Sequence, residues 1–192
     1  MRDASRVKEK NDPGGSKKMK VAIISYSLTG NNESLAASLA SHYQAQHIRI
    51  SEVTPRTTRT TILDTLFNRY PPIQFHFTEV AAYDFIIFVG PIWCGKIASP
   101  LRSCFRQIAP QIRDYSFVSI SGGAIGGNRK IEEELVKRLK KAPRSVMDLY
   151  IRDLLPAERG HDPAKTGSYR LGKEDTRKLS DAVIAEFDKR LA

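Results

Sequence analysis

Two hydrophobic spacings alternate along the chain. "KVAIIS" (20–25), "YDFIIFVG" (83–90) and "YSFVSIS" (115–121) are near-continuous apolar runs of strand length, as expected of strands buried on both faces. "HIRISEV" (47–53) alternates with a period of two, and "RSVMDLYIRD" (144–153) supplies a fifth strand. Between them lie stretches of helical pattern. In "NNESLAASLASHYQ" (31–44), Leu35, Leu39 and Tyr43 recur every fourth residue. "TTILDTLFNRY" (60–70) runs into a Pro-Pro stop, and "SPLRSCFRQIA" (99–109) carries proline at an early helical position. "NRKIEEELVKRLKK" (128–141) and "GKEDTRKLSDAVIAEFDKRLA" (172–192) complete the set, the last after a Gly/Pro/Asp-bearing loop.

Strands separated by helices, five times over, predict an α/β fold in three layers: one parallel sheet with helices on both faces. Right-handed crossovers leave few topologies, and five strands favour the order 2-1-3-4-5. In that order the crevice lies outside the carboxyl ends of strands one and three, so the loops after Ser25, Gly90 and Ser121 should rim a single site.

Composition narrows the setting. With 192 residues, 41% hydrophobic and 27% charged, the chain suits one domain, read here as residues 20–192. Residues 1–19 are polar, aperiodic and contain "DPGGS"; they read as a disordered basic extension. No apolar run approaches the ~20 residues of a membrane helix. The opening residues lack the apolar core of a secretory signal, so a cytoplasmic setting is expected. Cys94 and Cys104 are too few for a disulfide framework or a metal cluster and are expected as reduced thiols, with no metal site. The net charge of +10 is spread along the chain and favours anionic partners, but the cations are scattered. The densest tract, "KRLKK" (137–141), ends an ordinary helix, where cations complement the dipole. A nucleic-acid-binding domain is therefore only a weak third reading.

The first loop, "SYSLTGNN" (25–32), joins a buried strand to a helix start, and no lysine or arginine occurs from Val21 to Ile48. The N–H groups of a helix start form an anion site. Ser27, Thr29 and Asn32 offer side-chain donors, and Gly30 lets the backbone close around a phosphate. The lysine and spacing of a nucleoside-triphosphate loop are missing, as is the G-x-G-x-x-G of a dinucleotide turn. On these residues alone, a phosphate cradle and a plain Ser/Thr-capped helix are equally good readings.

Two motifs together resemble a known family. "SYSLTGNNE" is similar to the phosphate loop [ST]-x-T-G-[NA]-[TS] of flavodoxin-like FMN proteins. "GPIWCGKIASPLRSCF" resembles the segment after their third strand, G-x-P-x-W-x-G-x-x-x-x-P-x-R-x-F, through Trp93, Gly95, Pro100, Arg102 and Phe105. Asn32 departs from the usual Thr or Ser. The third loop, "SGGAIGG" (121–127), lacks the aromatic residue that electron-carrier flavodoxins often set against the ring.

The resemblance implies a flavodoxin-like fold with FMN held non-covalently by three loops. The first contributes Ser25, Ser27, Leu28, Thr29, Gly30, Asn31 and Asn32. The second contributes Pro91, Ile92, Trp93, Cys94 and Gly95, and the third Ser121, Gly122, Gly123 and Ala124. It implies that the flavin carries the chemistry, so no catalytic side chain is assigned. The basic surface and the third loop without an aromatic favour a reductase passing electrons from NADH or NADPH to a quinone or similar acceptor; a one-electron carrier is the alternative. A homodimer would suit a reductase that covers one ring face with a second subunit. A phospho-receiver domain shares the sheet order but needs acidic residues where this chain has Ser25-Tyr26 and Gly90-Pro91. Arg102 is read as a surface or ion-pair residue, and His161 as a solvent-facing loop histidine.

Overall fold

The computed structural model describes residues 19–75, 80–123, 128, 130–160 and 162–191. Apart from Met19, the expected extension lies outside the described residues, as do Ala124 and His161. Five strands form one parallel sheet: β1 (Val21–Ser25), β2 (Gln46–Arg49), β3 (Phe85–Val89), β4 (Tyr115–Ser121) and β5 (Val146–Tyr150). Their order is β2-β1-β3-β4-β5. This is the flavodoxin-like arrangement that the apolar runs predict.

The runs are apolar on both sides because each strand feeds two cores. Ala22 and Ile24, Ile86 and Phe88, and Tyr115 and Phe117 belong to one; Ile23, then Phe85, Ile87 and Val89, then Val118 and Ile120 belong to the other. Residues of α3 (Ser99–Ile108) and α4 (Ile131–Leu139) cover the first, with Phe88 and Phe105 packed edge to face at 4.8 Å between ring centres. Leu35 and Leu39 of α1 (Asn31–Tyr43) and Val183 and Phe187 of α5 (Lys173–Leu191) cover the second.

Register aligns the strand ends that matter. Ser25 pairs with Val89, and Val89 with Val118, so the first two loops leave the sheet at one level. β4 runs three residues further, to Ser121, and there has no β3 residue beside it.

The structure departs from the predicted boundaries where local chemistry overrides period. The strand expected over 47–53 ends at Arg49; Ser51–Glu52 instead pair antiparallel with Ile73–Gln74. The helix α2 (Thr58–Leu66) begins at a Thr57–Thr60 capping box and ends four residues before its expected limit, ahead of Asn68 in the left-handed region at φ 53°. The loop expected after β5 is largely helical: a 3-10 turn (Ile151–Leu154) and two short helices (Ala157–Gly160 and Pro163–Ser168) precede α5.

Candidate functional site

The first loop reaches α1 through Gly30, whose φ of 91° places it in the left-handed region; nothing lies within 4 Å of where a Cβ would stand. No side chain among the described residues caps the helix. Ser27 Oγ accepts instead from Gly30 N at 3.0 Å, inside the loop. The Ser/Thr-capped helix is therefore not what forms: the first-turn N–H groups of α1 are left for another acceptor. Arg49, the first lysine or arginine after the loop, is paired with Glu33 at 2.7 Å.

The two asparagines after Gly30 are buried, and their amides serve the chain itself. Asn32 Nδ2 donates to Ile120 O at 2.9 Å, and Ile120 N donates to Asn32 Oδ1 at 2.9 Å. Ile120 lies beyond the last β3–β4 pair, so the amide of Asn32 stands in for the missing rung. Asn31 makes the same kind of clasp with the segment ahead of α5: its Nδ2 donates to Tyr169 O at 3.0 Å, and Leu171 N donates to its Oδ1 at 3.1 Å. What both residues leave uncommitted at the helix start is backbone N–H. The unusual Asn32 is thereby explained by the strand it holds.

The second loop is a hairpin. Ile92–Trp93 pair antiparallel with Lys96–Ile97 around Cys94 and Gly95, whose φ values of 49° and 73° fit a turn of positive-φ residues. Cys94 faces solvent at the tip. Trp93 is half-buried, edge-on to Tyr26 with ring centres 5.8 Å apart, and the Arg56 guanidinium lies 5.3 Å from its ring centre. Arg56 is itself held by Glu52 at 2.6 Å and Asp64 at 3.0 Å, and the Tyr26 hydroxyl donates to Glu52. Burial first, then the Glu52 carboxylate, pushes the Tyr26 phenol above its ordinary range. Burial opposes the charge on Arg56, but its two carboxylates outweigh that and raise its pKa.

In the third loop, Gly123 has φ 101°, and a Cβ there would stand 2.6 Å from Arg152 Cδ. The side chain of Arg152, from the 3-10 turn after β5, thus lies against the loop. Hydrogen bonds tie the starts of the first two loops to the neighbouring strands: Tyr26 N donates to Val89 O, and Gly90 N donates to Val118 O, both at 3.0 Å.

Among the residues assigned from sequence, Ser25 is buried, with Oγ 2.7 Å from His47 Nε2, while Leu28 is exposed. Both line a cavity of about 330 Å³ that extends between the first loop and residues 49–56. Sequence reasoning missed Tyr26, Glu52, Arg56, Asp64 and Arg152. The Glu52/Arg56 spacing of four was the one local signal, and it falls outside any helical pattern.

Burial, aided by the charge of Arg49 and opposed by Glu33, lowers the pKa of His47 below 6.5. Folded His47 therefore resists a proton that the unfolded chain accepts. Stability is expected to fall as pH drops below about 6.5, and to go on falling until the lowered folded pKa is passed. Denaturant midpoints between about pH 7.5 and pH 5 should decline less in His47→Gln than in the parent; parallel declines would refute the assignment.

No helix among the described residues is long and apolar enough to cross a membrane, and no group of three or more His, Cys, Asp or Glu among them could hold a metal ion. No family model and no curated protein matches the chain. Solved structures do. A flavoprotein of Lactobacillus acidophilus NCFM in complex with FMN is similar at 18% identity and a TM-score of 0.59, over 68% of this chain and 93% of that one. Its apo-form is similar at 18% identity and a TM-score of 0.55, over 70% and 95%. A protein of Bacteroides eggerthii DSM 20697, solved as a candidate flavoprotein, matches at 15% identity and a TM-score of 0.60, over 85% and 96%. At these identities the likeness establishes the flavodoxin-like fold.

Proposed function

We propose that this chain binds FMN non-covalently at the carboxyl ends of β1, β3 and β4, and works as an oxidoreductase passing electrons from NADH or NADPH to a quinone or similar acceptor. The observation that carries the reading is the start of α1: a helix entrance at the switch point of a 2-1-3-4-5 sheet, opened by a left-handed glycine and capped by no side chain among the described residues. The residues present fit a monophosphate. Gly30 leaves room, the N–H groups of the first turn supply donors, and Ser27 and Thr29 of the same loop carry hydroxyls.

FMN, once bound, supplies the electron and hydride chemistry. The chain's share is to hold and orient it. Backbone of the hairpin from Pro91 to Gly95 and of Ser121 to Gly123 would border the ring, with Trp93 as the rigid wall beside it. Trp93 needs support to act as a wall, and the Tyr26 edge and the paired Arg56 supply it. Ala124, outside the described residues, completes the third loop of the proposal. The spread net charge of +10 suits an anionic dinucleotide donor.

Purified protein should be yellow and should bind added FMN. The Thr29 hydroxyl has no hydrogen-bond partner among the described residues, so Thr29→Leu should leave folding intact and weaken FMN about tenfold or more, the worth of one hydrogen bond to a charged group. A fluorescence titration measures this; unchanged affinity would reduce the loop to a helix entrance. NADH or NADPH oxidation with a quinone separates reductase from carrier, and absence of turnover with either donor would favour the carrier.

A further inference from the structure

A second, roomier cavity lies apart from the one beside the first loop. It has a volume of about 690 Å³ and lies between the hairpin of the second loop, α3, α4 and the segment after α2, a size that suits a nucleotide-sized molecule. Seven cationic side chains line it against two carboxylates. One carboxylate is already engaged: Glu134 accepts from Arg138 Nε at 2.7 Å and from Ile97 N at 2.9 Å. The other, Glu133, is exposed. Lys96 is turned to a backbone carbonyl, donating to Thr65 O at 3.0 Å. Five cations remain with no ion pair among the described residues: Arg102, Arg106, Lys130, Lys137 and Lys140.

Arg102 is the unusual member. Expected at the surface or in an ion pair, it is instead 1% exposed and has neither. Its Nη1 donates to Asn68 Oδ1 and its Nη2 to Asp64 O at 2.8 Å, both uncharged acceptors, and its Nε is buried with no partner among the described residues. Burial and the nearby charge of Arg138 both act against its protonated form. Buried charges are ordinarily paired, and this one lines a cavity in which cations outnumber carboxylates seven to two. Above it, Tyr70 carries the guanidinium groups of Arg106 and Arg138 at 5.3 Å and 5.9 Å from its ring centre. These contacts hold both arginines at the cavity.

We propose that this cavity is a binding site for a small molecule bearing two or more phosphate charges, with Arg102 as its buried counter-charge and Arg106, Lys130, Lys137 and Lys140 as its outer donors. A point anion would leave most of the cations unmatched, and a nucleic acid would need a convex or extended surface, whereas these groups line a concavity. The site is separate from the phosphate cradle of the first loop but shares Gly95 with the hairpin, so its occupant would sit beside the proposed flavin site.

The probe is inorganic pyrophosphate, titrated calorimetrically at low ionic strength into protein preincubated with excess FMN, with sodium chloride of equal ionic strength as control. Binding is expected below about 1 mM, and Arg106→Gln/Lys137→Gln should weaken it about tenfold or more while leaving FMN affinity unchanged. Both side chains are exposed, so that variant should fold; Arg102→Met, if it folds, should weaken pyrophosphate at least as much. ADP and adenosine 2′,5′-bisphosphate identify the source of the phosphate: tighter binding than pyrophosphate points to a nucleotide, equal binding to free phosphates. No pyrophosphate binding, binding untouched by the double substitution, or tighter capture of a short DNA duplex through the same residues would each overturn the proposal. Failure of FMN to bind would remove the flavin reading and leave this test standing.

Discussion

Replacing Asn32 by leucine is expected to destabilise the protein by about 3 kcal/mol or more, and to do so through a residue 88 positions away. The Asn32 amide satisfies both the N–H and the carbonyl of Ile120, at 2.9 Å each, where β4 has outrun β3. Leucine would fill the buried space but offer neither group a partner, and each buried backbone group so orphaned costs about 1–3 kcal/mol. Chemical denaturation checks the size. Hydrogen exchange checks the place, because the Ile120 amide should lose its protection well before those of β1 and β3. A loss below about 1 kcal/mol would mean that water or a shifted backbone replaces the amide readily.

Arg56→Leu should cost about 3–5 kcal/mol, as expected when one partner of a buried ion pair is removed. The side chains of Arg56, Glu52 and Asp64 are only 3%, 12% and 13% exposed, so the substitution strands two carboxylates. It also removes the cation beside Trp93, the sole tryptophan, whose emission should shift with it. Adding Glu52→Gln and Asp64→Asn to Arg56→Leu should recover much of the loss, since no charge is then left alone. If the triple variant is no better than the single one, packing and not charge holds this corner.

Periodicity made the sheet legible because each of the three central strands feeds both cores: nothing polar interrupts Phe85–Val89, and no other element of that length could hide it. The strand order alone set the first two loops side by side at one level of the sheet. What stayed hidden was the use of side chains across long separations. Asn32 read as one more donor in a polar turn, and only the early end of β3 shows why an amide stands there. Arg102 sat in a helical pattern that ordinarily puts arginine in water, yet α3 turns it inward beneath Asn68 and Arg138. The hairpin at Ile92–Ile97 escaped notice because Cys-Gly is an unusual pair for so tight a turn.

The turn at Cys94 also has a practical corollary. The other thiol, on Cys104, is sealed within the core at 0% exposure, and burial pushes its pKa well up, away from the reactive thiolate. A maleimide or disulfide reagent offered to the native protein thus has one place to attach, next to the lone indole. Without any engineering, the molecule carries a single handle for a dye or spin label, and an emission donor beside it, on the tip of the hairpin.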